Sequence, residues 1–194
     1  MVAPVKLGIK RPATRPLLPD PEPRPVKYTI FSVDDHLLEP PHAFEGRFEL
    51  KYKDRVPRVA EIEEGHQVWM IENTPYFQVG FMAVAGRAKE DQRVEPSRFE
   101  EVRRGCWDIH HRIKDMDIGG IWASVNFPSG VTGFGGTLFS ELPDRDFGLA
   151  CVREVFQYHG EFIPTDARDG VRRADRALQA LCRHAQDAVA GGVA

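Results

Sequence analysis

Three consecutive residues of this 194-residue chain, Asp34-Asp35-His36, have the types and spacing that could do chemistry. They close a β-branched and aromatic run, Tyr28-Thr29-Ile30-Phe31-Ser32-Val33, and precede Glu39-Pro40-Pro41, so they are expected at the end of a first strand and the start of its loop. Successive side chains of a strand alternate faces, which sends Asp34 and His36 one way and Asp35 the other. A carboxylate and an imidazole converging at the carboxyl end of a strand suit Zn²⁺ or Mn²⁺. The same spacing also serves a plain hydrogen bond from His36 to Asp34 or to a backbone group, and Asp-x-His alone does not separate the two readings.

Other candidates do not enlarge the pair. His110 and His111 are neighbours on an expected helix, about 100° apart around its axis, so they cannot chelate one ion together and are assigned to surface or helix-packing roles. His42, His66, His159 and His184 end no strand. Gly130, Gly133, Gly135 and Gly136 form a loop without the Gly-Lys-Ser/Thr ending or GxGxxG spacing that cradles phosphate. Ser129 and Ser140 lack a Gly-x-Ser-x-Gly elbow. Cys106, Cys151 and Cys182 are odd in number and widely spaced, with no CxxC pair and no thiolate context. Trp69, Tyr76, Phe77, Phe81, Trp107 and Trp122 read as core.

The elements that must position the pair follow from periodicity. After the first strand, Tyr52 to Val84 reads as short strands, with Gln67–Ile71 and Tyr76–Val79 joined by a Glu72-Asn73-Thr74-Pro75 turn into a β-hairpin. Ser97 and Glu100 match a capping box that opens a short helix closed by Gly105. Asp108 caps a better helix carrying Ile109, Ile113 and Met116 on one face and stopped by Gly119-Gly120. A strand follows at Ile121–Asn126, then the glycine loop, then a helix capped by Asp144 or Asp146 and running through Phe147, Ala150, Cys151 and Val155. Strand, hairpin, helix, strand, loop, helix is the opening of a βαβα series with a parallel sheet.

The residues also resemble a family. Ser32-Val33-Asp34-Asp35-His36-Leu37-Leu38-Glu39-Pro40-Pro41 is similar to the opening strand of the amidohydrolase-related proteins, the branch of the amidohydrolase superfamily that includes aminocarboxymuconate-semialdehyde and resorcylate decarboxylases. Arg104-Gly105-Cys106-Trp107-Asp108, Arg112, Asp115-Met116-Asp117 and Ala123-Ser124-Val125-Asn126-Phe127-Pro128 resemble that family's first helix and second strand. Leu149-Ala150-Cys151-Val152-Arg153 resembles the start of its next helix. The resemblance runs from about Tyr28 to Arg153.

It implies an α/β fold, an incomplete (β/α)₈ TIM-barrel-like arrangement of the first βα units with an inserted β-hairpin excursion. It also implies a metal-dependent hydrolase or non-oxidative decarboxylase of a small carboxylated or amide-type substrate. The positions matching the family's paired first-strand metal ligands are Asp34 and His36. Many members carry His at the first of these, and Asp34 shifts the preference toward Mn²⁺ or Mg²⁺. Asn126, at the end of the second strand, matches a place for substrate contact. The family draws its remaining ligands and its acid-base residue from later strands, and no β-rich run follows here. A complete barrel takes about 250 residues. The chain is therefore expected to supply two of the eight βα units and to be inactive alone. A non-enzymatic α/β binding or interaction module is the alternative.

Composition bounds the partners. The chain carries 26 basic and 29 acidic residues for a net charge of −3, interspersed along most of its length, so neither nucleic acid nor membrane lipid is expected as a partner. The cysteine pattern and the absence of a signal-like or membrane-spanning run point to a cytoplasmic protein. Seven of the 15 prolines fall in the first 25 residues, which makes residues 1–27 an extended Pro/Arg-rich leader, draped on the surface or serving as a docking arm. Residues 28–162 form the barrel-like part. Residues 163–194 are an Ala/Arg-rich tail with helical periodicity from about Arg168 to Val189, of the composition a shifted GC-rich reading frame would yield. An unpaired strand edge in a partial barrel invites a second copy of the chain or a complementing chain.

Overall fold

The computed structural model describes residues 16–22, 25, 27–62, 65–76, 79–80, 83–92, 98–128, 131 and 137–161. Most of the leader, Phe77 and Phe81 of the hairpin region, Ser97 of the expected capping box, Ser129 and all four glycines of the loop, and the whole 163–194 tail with Cys182 and His184 lie outside the described residues.

Two sheets organise the rest. Strand β1 (Ile30–Leu37) pairs in parallel with β5 (Ile121–Pro128). Strands β2 (Arg58–Glu61), β3 (Gln67–Ile71) and β4 (Thr74–Tyr76) form an antiparallel sheet in that order. The helices are α1 (Ile109–Gly119), the one-turn α2 (Thr137–Ser140) and α3 (Arg145–Glu161). The fold is thus mixed α/β, with the hairpin excursion inserted between β1 and the helix that leads to β5.

Local chemistry sets the boundaries. At the start of α1, Asp108 accepts a hydrogen bond from the His111 backbone N–H at 3.0 Å, which satisfies one of the donors a helix start leaves open. Gly120 ends the helix with φ +70°, a left-handed conformation that costs glycine little. For α3 the cap is Asp144 rather than Asp146, since Asp144 accepts from the Phe147 N–H at 3.1 Å.

Strand β1 runs through Asp34-Asp35-His36 to Leu37, which places the three residues at its carboxyl end. Two expectations need correcting. The β3–β4 turn is tighter than four residues: Glu72 and Asn73 alone carry positive φ, +48° and +67°, and Thr74-Pro75 already belongs to β4. Two consecutive positive φ values match the twist of the flanking strands, and Pro75 is tolerated because β4 lies at the sheet edge. The short helix expected from the capping box is instead two separate 3₁₀ turns, Phe99–Glu101 and Arg104–Cys106. Extended backbone at Val102 and Arg103 separates them. This path buries both Phe99 and Val102 while leaving Arg98 to pair with Glu61 and Glu100, and Arg103 with Asp115.

The main apolar cluster lies between the excursion and α3, and draws on neither β1 nor β5. Phe44, Tyr52, Trp69, Ile71, Phe99 and Phe139 meet Phe147, Cys151, Val152 and Val155 there. Phe44 stands edge-on to Trp69 at 5.7 Å and to Phe139 at 6.0 Å, a favoured aromatic geometry. Arg55 ties the parts together. Its guanidinium lies 4.1 Å above the Phe147 ring, bonds Asp144 at 2.6 Å and pairs with Glu72 of the hairpin turn. By contrast, β1 is largely open, with Ile30, Phe31 and Val33 exposed, as is Trp122 on β5.

Candidate metal centre

Strand β1 carries the candidate pair, and its register explains how. Ser32 pairs with Ser124 and Asp35 with Asn126, so three steps along β1 oppose two along β5. Such an irregularity locally re-phases a strand. Ser124 and Asn126 face α1: the Ser124 hydroxyl lies 3.8 Å from the Met116 sulfur, and the Asn126 amide donates to Ser124 Oγ at 2.8 Å. Asp35 joins that side. Arg112 of α1 reaches the Asp35 carboxylate at 3.0 Å and donates to Asn126 Oδ1 at 3.1 Å.

Asp34 and His36 lie on the other side of the strand. The Asp34 Oδ1 and His36 Nε2 atoms are 3.4 Å apart, with side chains 78% and 49% exposed. The His36 ring also lies 6.0 Å from that of Phe127, its partner in the β1–β5 register. The two residues singled out as a ligand pair are therefore brought together, and Asn126 is not brought to them. Contact between Asn126 and a substrate on the Asp34–His36 face would require its side chain to leave Arg112 and Ser124.

The donor set fits part of a metal site. Ligand atoms about 2.0 to 2.2 Å from a tetrahedral ion are about 3.4 Å from each other, which is the separation of these two. A catalytic zinc usually takes three protein ligands. Among the described residues no group of three His, Cys, Asp or Glu side chains is arranged to hold an ion.

Two features escaped the sequence reading. The first is the Asp35–Arg112–Asn126 cluster that locks β1, α1 and β5 together. Arg112 and Met116, four residues apart on α1, both face β5, and the spacing of Arg112 to Met116 is the signal that could have revealed it. The second is Glu39, completely buried just beyond β1, a rare location for a carboxylate. Its surroundings are fixed in part by a backbone hydrogen bond from Leu38 to Cys106 at 2.8 Å.

Away from the pair, His111 Nδ1 lies 2.9 Å from Asp108 Oδ1. Burial works to raise the Asp108 carboxyl, but the side-chain and backbone hydrogen bonds from His111 outweigh it and hold the group below its usual value. His42 packs edge-on against Tyr158. The Cys106 and Cys151 thiols are both pushed up by burial, the opposite of what a thiolate nucleophile needs.

No protein family matches the sequence, and no curated protein matches it. Among solved structures, the chain is similar to the crystal structure of an amidohydrolase from Mycobacterium avium subsp. paratuberculosis K-10, with a TM-score of 0.53 and 17% sequence identity over 82% of this chain. The described residues thus have an amidohydrolase-like α/β fold. The chain spans 48% of that neighbour's length. Among the described residues no helix is long and apolar enough to cross a membrane.

Proposed function

We propose that this chain is the opening portion of an amidohydrolase-related barrel, close to the decarboxylase-containing branch, and that Asp34 and His36 are two ligands of a divalent cation, Zn²⁺ or Mn²⁺. The reaction class is hydrolysis or non-oxidative decarboxylation of a small carboxylated or amide-type substrate. The observation that carries the reading is the convergence of a carboxylate oxygen and an imidazole nitrogen at 3.4 Å on an open face of the first parallel strand. When bound, such a cation polarises a substrate oxygen and brings the pKa of its water toward about 7.

The chain's own residues have defined tasks in this scheme. Asp34 and His36 hold the ion, and the Arg112 bridge to Asp35 and Asn126 keeps their strand in register with β5. In this reading further ligands and the acid-base group come from other strands of the barrel. Two ligands hold an ion weakly, so the isolated polypeptide has little or no turnover.

Titration of the full chain with Zn²⁺ and Mn²⁺, read by calorimetry and by the electron paramagnetic resonance of Mn²⁺, tests the reading. One ion per chain is expected, lost in both Asp34→Ala and His36→Ala. Binding that neither substitution weakens overturns the metal assignment. Metal-dependent turnover by the isolated chain, abolished by Asp34→Ala, overturns the assignment of an incomplete site.

The second reading, a binding or interaction module without turnover, is favoured by a different observation. Ile30, Phe31, Val33 and Trp122 leave an apolar strip open on the β1–β5 sheet, and such strips mark interaction surfaces. A stable oligomer that binds no metal is the outcome this reading expects.

A further inference from the structure

Part of the leader, Pro16-Leu17-Leu18-Pro19-Asp20-Pro21-Glu22, lies along the body of the molecule. Three contacts hold it there. The Leu18 backbone N–H donates to the Gly86 carbonyl at 2.7 Å, and the Asp20 carboxylate accepts from Arg103 at 2.7 Å. Leu17, alone of the seven residues, is partly buried, and it packs where Gly86 meets Arg103: a Cβ on Gly86 would lie 3.4 Å from Arg103 Nη1 and 3.8 Å from Leu17 Cδ2. Gly86 has φ +77°, a conformation glycine adopts at little cost. Leu17 and Asp20 line a cleft of about 690 Å³, together with Arg103, Trp107 and Lys114.

The hold is slight. Pro16, Pro19 and Pro21 have no N–H to pair with the body. The Asp20 side chain is 58% exposed, and an ion pair so placed is weak and screened by salt. Arg103, in turn, does not depend on Asp20. It holds Asp115 of α1 through two further hydrogen bonds, at 2.8 and 2.6 Å, so it stays anchored when Asp20 leaves. Segments held by so few contacts open well before the fold as a whole.

We propose that residues 16–22 are a detachable strap on this cleft. Latched by Leu17 at Gly86 and by Asp20 on Arg103, the strap opens as a unit while α1 and the core stay folded. Its release removes one wall of the cleft and frees the Arg103 N–H that Asp20 had taken. Neither Asp34 nor His36 lines the cleft, so the strap is independent of the metal reading.

The test is amide hydrogen exchange of the full chain, labelled with ¹⁵N-leucine and read by nuclear magnetic resonance at Leu18, with Leu149 of α3 as the reference. Leu18 should exchange about 10 to 100 times more slowly than an unprotected amide, yet faster than Leu149. Asp20→Asn and Leu17→Ala should each speed Leu18 exchange about two- to fivefold, with Leu149 exchange and the melting temperature unchanged. Raising sodium chloride from about 20 to about 500 millimolar should speed Leu18 in the wild type but not in Asp20→Asn. Exchange of Leu18 at the unprotected rate or as slowly as Leu149 overturns the proposal. So does a Leu18 rate unmoved by either substitution, equal acceleration of Leu149, or a salt effect that persists in Asp20→Asn.

Discussion

Replacing Phe147 and Phe31 separately by alanine tests where the stability of this molecule resides. The two changes remove the same atoms from opposite environments. Phe147 is fully buried, at 0% exposure, within the cluster that joins the excursion to α3. It also sits 5.2 Å from Tyr52 and under the Arg55 guanidinium. Truncating a buried phenylalanine costs about 3 to 5 kcal/mol, because the lost transfer free energy is joined by a cavity that neighbours fill only in part. Phe31 is 58% exposed. Full burial of such a side chain is worth about 1.5 to 3 kcal/mol, so the share it buries is worth roughly 1 kcal/mol. Its edge-on contact with Trp122 at 5.2 Å adds about 0.5 to 1.5 kcal/mol, and no closed cavity forms. Urea titration followed by far-ultraviolet circular dichroism should therefore show Phe147→Ala destabilising the fold by about 2 kcal/mol more than Phe31→Ala does. Equal losses would refute the reasoning, because they would mean that β1 is covered to the same degree as the α3 core. A Phe31→Ala loss that grows with protein concentration would identify a second copy of the chain as the cover.

Two further outcomes follow from individual contacts. A Cβ at Gly105 would overlap the Asp115 carboxylate, so Gly105→Ala should break the two-point Arg103–Asp115 pair, cost about 2 kcal/mol and lower the melting temperature by about 4 to 8 °C; an unchanged melting temperature would show that Asp115 moves aside without loss. The Asp144 carboxyl is held below its ordinary value of 3.8, first by the Arg55 hydrogen bond and then by the Phe147 N–H. A lowered carboxyl stabilises the fold fully above its unfolded-state pKa and loses that contribution as the pH falls through the folded value. Wild-type stability should accordingly fall more steeply below about pH 4 than that of Asp144→Asn, which keeps a capping oxygen but no charge; parallel pH curves would contradict the Arg55–Asp144 assignment.

How much of this was legible in the sequence depends on whether a feature is local. Asp108 before an apolar 3.6-residue pattern and Gly120 after it bracket α1, because a cap bonds donors within its own turn. The β3–β4 hairpin was legible for the same reason, although the Glu72 turn residue concealed its type: glutamate is an uncommon occupant of positive φ, and the Arg55 contact that accompanies it comes from 17 residues away. The two 3₁₀ turns were misread as one helix because burial of Phe99 and Val102 against distant partners outweighed the capping-box pattern. What periodicity could not convey was the position of the core. The side chains that enclose a cluster are those of the excursion and α3.

The candidate site shows the same division between local and distant causes. Alternation on a strand correctly separates Asp35 from its two neighbours, and needs only the residues themselves. It does not convey that Ser32 and Asp35, three positions apart, share the α1-facing side, since that follows from the mismatch of β1 against β5. Regular alternation from Ser32 onward would turn Asp34 toward Arg112 and Asp35 away from it. The irregularity reverses this: it gives Arg112 the Asp35 carboxylate to hold against the helix and leaves Asp34 beside His36 on the open face. A charge-bearing helix residue and one extra step of strand thus decide which of two adjacent aspartates is structural and which is available to a cation, a distinction that Asp-Asp-His by itself does not contain.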